Sequence, residues 1–188
     1  TYLFSGFEMP FGLVNIDKKS GQDVIKNYKK LINEYEAHKD EYSIELQLPF
    51  LQFANRDKLN ELKILPIVVK SRNYEECVKL ADAIAELEVN YGIIVSSNLL
   101  YFGRMFNYTP FVYSKKENIT IMNNMILDYI KNLDAKGLLE YVNEKRITTC
   151  GAGAIAVAIE VCRNIGLKKA NILQQYNSYE INNDHENI

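Results

Sequence analysis

Tryptophan is absent from the 188 residues, histidine occurs twice and cysteine three times, and no apolar run reaches the ~18–20 residues of a transmembrane helix. The chain is therefore not read as spanning a membrane. His38 sits in a charged stretch and His185 in a polar tail, too sparse for a Ser-His-Asp triad or a His-based metal site built within this chain. Cys77, Cys150 and Cys162 are odd in number, at unrelated spacings and without a C-x-x-C, which excludes a disulfide framework and a structural zinc site. A reducing compartment follows, and since the stretch Thr1-Tyr2-Leu3-Phe4-Ser5-Gly6 itself shows no basic n-region or cleavage pattern, the expectation is a soluble, cytoplasmic protein. Neither sign of charge is in surplus: 22 Lys+Arg stand against 24 Asp+Glu, so no phosphate-backbone footprint is present and nucleic acid is not an expected partner.

What is present is ordinary globular composition, 47% hydrophobic and 24% charged, and the length suits a single domain over residues 1–188. The opening Thr suggests a chain that is trimmed or lacks an N-terminal portion.

Periodicity alternates between strand and helix. Leu13–Ile16 reads as a short strand and Gln22–Glu36 as an amphipathic helix with Ser20 as its cap. Glu41–Ala54 reads as helical, with Pro49 kinking it or starting a second helix. Leu62–Lys70 and Gly92–Ser97 read as buried strands, and Ala170–Tyr176 as a last strand. Helices are predicted over Tyr74–Glu88, Asn118–Lys131, Ala135–Asn143 and Gly151–Ile165, the last stopped by Gly166. The expectation is an α/β fold, a layered mixed sheet flanked by helices.

Three segments could carry chemistry. Cys150 precedes Gly151-Ala152-Gly153-Ala154, where free backbone N–H groups and the helix dipole would favour a thiolate or an anion, although these small residues equally suit close packing on a sheet. Cys77 and Cys162 fall on helix faces and read as core. Ser96, Ser97 and Asn98 close a strand and are followed by Tyr101; they suit a site at a strand end, or a turn that satisfies backbone groups. Glu41 and Glu45, with Tyr42 and Gln47 nearby, share a helical face at i,i+4, which is also what a solvated helix surface looks like.

Together these segments resemble the Memo family (AmmeMemoRadiSam system protein B), whose fold is akin to the LigB-type class III extradiol dioxygenases. Glu8-Met9-Pro10-Phe11-Gly12 with Val14–Asp17 is similar to W-E-T-P-L-G-x-V-x-x-D. Glu41–Phe50 is similar to E-H-S-I-E-x-x-L-P-F and Leu65–Val69 to I-x-P-V-L-V. Val95–Asn98 through Gly103 resembles V-S-S-D-x-x-H-x-G, and Cys150–Ile155 resembles C-G-x-x-P-I.

The departures fall on the residues that the resemblance places in the family's pocket. Tyr42 stands where the pattern has His, Asn98 where it has Asp, and Tyr101 where it has the next His. The upstream H-A-G-Y and G-P-x-H motifs are not in this sequence, and Tyr2–Gly6 echoes only the Y-x-Y-S-G stretch that comes after the H-A-G histidine. A non-haem iron site needs about three ligands such as two His and a carboxylate. The resemblance thus implies a degenerate site of Tyr42, Glu45, Ser97, Asn98, Tyr101, Cys150 and Gly151. It would hold no metal unless missing histidines joined Cys150, would use no cofactor, and would bind a small-molecule ligand or a protein partner without catalysis. The other reading is a metal- or thiol-dependent enzyme related to those dioxygenases, and a third is an interaction module using the aromatic loop Leu99–Tyr113.

Overall fold

The computed structural model describes residues 1–182; of the predicted polar tail at Asn182, Asn183 and Asp184, Asn182 ends a short helix, and Asn183, Asp184 and His185 lie outside the described residues. Chain packing divides into two compact units, Thr1–Val69 with Ala83–Ser96 and Lys70–Asp82 with Ser97–Ile188. The architecture is α/β: a three-stranded mixed sheet and helices.

In the first unit, β1 (Phe7–Met9) and β2 (Gly12–Ile16) form an antiparallel hairpin that turns at Pro10-Phe11, and β3 (Lys63–Ile64) joins β2 in parallel. Gly12 closes that turn at φ 106, a conformation that favours glycine. Val14 and Ile16 point to the core, whereas Leu13 and Asn15 between them do not, as the period of two requires. The Gln52 amide braces the hairpin, donating to the Gly12 carbonyl at 2.9 Å and accepting from the Phe11 N–H at 3.4 Å.

Helix α1 (Lys18–Asn27) starts earlier and ends earlier than its periodicity suggests. Its cap is Asp17 rather than Ser20: the Asp17 carboxylate accepts the Ser20 N–H at 3.1 Å and the Ser20 hydroxyl at 2.7 Å. The apolar spacing over Leu31–Tyr35 does not continue the helix because this segment bonds the chain start. The Ile32 carbonyl accepts from the Thr1 amino group at 2.8 Å, and the Glu34 N–H donates to the Thr1 carbonyl at 3.0 Å. After α2 (Glu36–Lys39), the predicted helix breaks into α3 (Tyr42–Glu45) and α4 (Leu48–Ala54), with Pro49 in the first turn of α4. His38, read as part of a charged stretch, is buried against the Tyr2 ring at 5.6 Å between centroids, and that burial above all pushes its imidazole below the usual range.

Burial alone would raise the Asp17 carboxyl, but the Ser20 hydrogen bonds, with Lys63 and Lys19, outweigh it and hold the group below its ordinary 3.8. A carboxyl lowered by folding adds stability above that value and loses it as pH falls through the lower folded value. Asp17→Ala should therefore cost about 1 kcal/mol in urea unfolding at neutral pH, the usual worth of an N-cap. The gap between variant and parent should narrow below pH 3.8; an equal gap at both pH values would contradict this role.

Three of the predicted strands are corrected. Pairing in Leu62–Lys70 is confined to Lys63–Ile64, since Pro66 has no N–H to extend a ladder and its carbonyl accepts instead from the Tyr2 N–H and the Thr1 hydroxyl. Gly92–Ser97 pairs with no strand among the described residues, and Ile93 and Ile94 are exposed, so an apolar run was a misleading sign of a buried strand here. The same holds for Ala170–Tyr176, where Leu173 is 97% exposed.

The second unit is a helical stack. α5 (Tyr74–Ala85) begins in it, and α6 (Lys115–Lys131), α7 (Ala135–Glu144) and α8 (Ala152–Asn164) pack in sequence, followed by the short α9 (Tyr179–Asn182). Ile119 and Ile126, Leu138, Leu139 and Val142, and Ala156, Val157 and Val161 are buried at the helical spacing of each element. Gly166 ends α8 at φ 86. Cys77 is core as expected, but Cys162 is only half-buried.

Candidate functional site

The predicted site residues divide between the units. Tyr42 and Glu45 belong to the first, both exposed on α3, Tyr42 at 69%. Glu41 does not share a helical face with Glu45: it lies outside α3 as its cap, accepting the Ser43 N–H at 2.7 Å. Ser97, Asn98, Tyr101, Cys150 and Gly151 belong to the second unit, and there four of their side chains or backbones touch.

Cys150 is exposed at the entrance to α8, and buried Gly151 occupies the cap position without a side-chain cap bond. The Asn98 backbone N–H donates to the Cys150 sulfur at 3.1 Å, and the thiol faces the Ser97 hydroxyl at 3.7 Å and the Asn98 carbonyl at 4.0 Å. The Asn98 amide donates to the Tyr101 phenol oxygen at 2.8 Å. Tyr101 in turn packs against Phe106 at 4.8 Å between ring centroids.

Two chain segments make this arrangement. One runs from Ser97 through an aromatic loop that folds on itself: Gly103 bridges Tyr108, Asn107 takes the left-handed conformation at φ 50, and Phe102 stacks on Phe111 at 5.1 Å. The other is Ile147–Cys150, whose Thr148 carbonyl accepts the Tyr101 N–H at 2.8 Å. Thr149 adds a hydroxyl bond to the Asn98 carbonyl at 2.7 Å, and the Arg72 guanidinium donates to the Thr149 and Ile147 carbonyls at 2.8 and 3.4 Å. Sequence reasoning missed both Arg72 and Thr149. Thr149 could have been suspected as the neighbour of Cys150, whereas nothing in Ser71-Arg72-Asn73 signals its partner carbonyls 75 and 77 positions away.

A family model described as Memo-like protein matches residues 2–188. The chain belongs to the Memo-like family. It is 29% identical to a MEMO1 family protein of Pyrococcus horikoshii, over 92% of this chain and 62% of that protein. Against a MEMO1 family protein of Nitrosopumilus maritimus the identity is 26%, over 100% of this chain and 64% of the other. Against one of Saccharolobus islandicus it is 33%, over 92% and 57%. This Memo-like chain thus spans about three-fifths of the length of the curated relatives it matches.

The metal that the family resemblance implies does not fit the donors present. Asn98 offers an amide and Tyr101 a phenol already bonded to it, neither a good ligand for Fe(II) or Zn(II), which leaves the Cys150 sulfur alone. Among the described residues no three His, Cys, Asp or Glu side chains gather closely enough to hold an ion. Among the same residues no helix is long and apolar enough to cross a membrane.

Proposed function

We propose that the Ser97–Tyr101 and Thr148–Gly151 segments of this Memo-like chain form a ligand-holding surface on a degenerate metal site, one that binds a small molecule or a protein partner without catalysis. The observation that carries this reading is the 2.8 Å bond from the Asn98 amide to the Tyr101 phenol. These two residues stand where the family pattern has Asp and His, and the pair presents a neutral amide and a phenol whose oxygen accepts the amide N–H, in place of a carboxylate and an imidazole. Amide, phenol and hydroxyl groups can still hydrogen-bond a polar ligand, and the rings of Tyr101 and Phe106 add an apolar wall beside them.

The kinship with class III extradiol dioxygenases, and a cytoplasmic location suited to three free thiols, belong to the same proposal. One observation favours a second reading, a thiol-dependent enzyme: the backbone N–H aimed at the Cys150 sulfur would stabilise a nucleophilic thiolate.

The test is metal content. The purified chain, loaded with Fe(II) or Zn(II) and dialysed, should retain far less than a stoichiometric amount. Stoichiometric metal that is lost in Cys150→Ser would overturn the proposal.

A further inference from the structure

We propose that residues 1–4 form an acid-released strap: the neutral His38 imidazole helps to hold them across residues 31–38, and its uptake of a proton lets them go. All of these residues belong to the first unit. The strap is seated on two sides. The Leu3 N–H donates to the Asn33 side-chain carbonyl at 2.9 Å and the Glu34 N–H to the Thr1 carbonyl at 3.0 Å. The Pro66 carbonyl accepts the Tyr2 N–H at 3.3 Å and the Thr1 hydroxyl at 2.8 Å. Leu3 lies so close to Gly21 of α1 that no Cβ fits between them. Tyr2, buried, is the centre of the contact, its ring meeting Phe4 at 5.4 Å, Phe7 at 5.6 Å, Tyr35 at 6.2 Å and His38 at 5.6 Å between centroids.

His38 is 7% exposed, and its Nε2 has no hydrogen-bond partner among the described residues. An imidazolium, with N–H donors on both ring nitrogens, would leave a charged donor unpaired beside the Tyr2 ring, whereas the neutral ring leaves only a lone polar atom there. The charged groups that face the imidazole pull in opposite directions: the Thr1 amino group opposes a further cation and the Glu41 carboxylate favours one. The Tyr2 hydroxyl is bonded to Ser5 at 2.9 Å. Burial is the largest effect and, with Thr1, prevails, so the imidazole stands below its ordinary 6.5. Once the strap lifts, His38 meets water and takes up a proton that the closed state refuses. A folded value below the open one means that the hold is complete above pH 6.5 and is lost as pH falls toward the lower folded value.

The experiment is amide hydrogen exchange on the whole chain, read by NMR from about pH 7.5 to about pH 4.5 and corrected for the intrinsic rate at each pH. Leu3 and Glu34 report the strap. Leu51 in α4 and Leu138 in α7, whose N–H groups donate to the Gln47 and Asp134 carbonyls at 3.1 and 3.0 Å, report the rest of the fold. Between pH 7.5 and pH 5, protection at Leu3 and Glu34 should fall about three- to thirtyfold relative to Leu51 and Leu138, the upper figure being the proton uptake of a free imidazole. His38→Phe keeps a ring and His38→Gln a neutral polar group, and neither takes up a proton in this range. In each variant that folds, the ratio of Leu3 to Leu51 protection should stay constant within about twofold down to about pH 5. A parental ratio that stays flat would overturn the proposal. So would a fall that persists in a folded variant, because the proton would then be taken up elsewhere, at Glu34 or Glu41 for instance. If neither variant folds, the parental profile decides: a fall that sets in near pH 6.5 supports the strap, and one confined to the carboxylate range below about pH 5 overturns it.

Discussion

Phe102→Ala should destabilise the protein by about 3–5 kcal/mol, the upper range for deleting a core aromatic side chain. Phe102 is 1% exposed and the largest of the fully buried side chains. Its backbone is pinned on both sides, by the Tyr101 N–H on the Thr148 carbonyl and by the Gly103–Tyr108 bridge, so the neighbouring chain cannot collapse into the space left behind. Its ring also loses the 5.1 Å stack on Phe111 and the Lys115 ammonium 5.9 Å above it. Phe111, only half-buried, supplies a scale: Phe111→Ala should cost about 1–2 kcal/mol, and the double variant should cost less than the sum because both remove the same stack. Urea unfolding of the three variants measures this, and a loss below about 1.5 kcal/mol for Phe102→Ala would mean that the aromatic loop does not anchor the site. Since whole domains are stable by only about 5–15 kcal/mol, the loop that carries Asn98 and Tyr101 is also among the chain's main anchors.

How far the sequence announced this structure depends on whether an element is decided locally. Helices α5 to α8 were legible because their apolar residues repeat at helical spacing, and α6 to α8 pack in sequence on those buried residues. The hairpin residues Leu13–Ile16 were legible through alternation. Elements that depend on distant partners were not. The run Leu31–Tyr35 has helical spacing, yet the Thr1–Leu3 segment takes up its backbone groups. Gly92–Ser97 has the composition of a strand, but a strand exists only with a partner, and composition does not name one. At the site, the ordered motifs named Ser97, Asn98, Tyr101 and Cys150, which hydrogen bonds join in the second unit, together with Tyr42 and Glu45, which belong to the first, whereas Arg72 enters through backbone carbonyls, which have no side-chain signature to read.

Cys150, the exposed thiol of the three, should be alkylated ahead of half-buried Cys162 and far ahead of buried Cys77. Burial, then the charges of Glu76 and Glu160, pushes the Cys77 thiol up to about 11, so that about one molecule in a thousand carries its thiolate at pH 8. Its thiol also donates to the Ser71 and Gly153 carbonyls, both at 3.8 Å, contacts that hold it protonated inside the second unit. Cys162, half-buried on α8, is pushed up by burial as well. Cys150 is exposed, and its sulfur accepts the Asn98 N–H at 3.1 Å, a bond that strengthens when the sulfur becomes an anion. Cys77 should be labelled only where the fold opens or the pH nears 11. A ligand seated on Ser97, Asn98 and Tyr101 would shield Cys150 and leave the slow labelling of Cys162 unchanged. Peptide mass after brief iodoacetamide exposure at about pH 8 reads all three sites at once. Equal rates at Cys150 and Cys162 would make Cys150 a packing residue at a helix start, and the chemical case for this surface would then rest on Asn98 and Tyr101 alone.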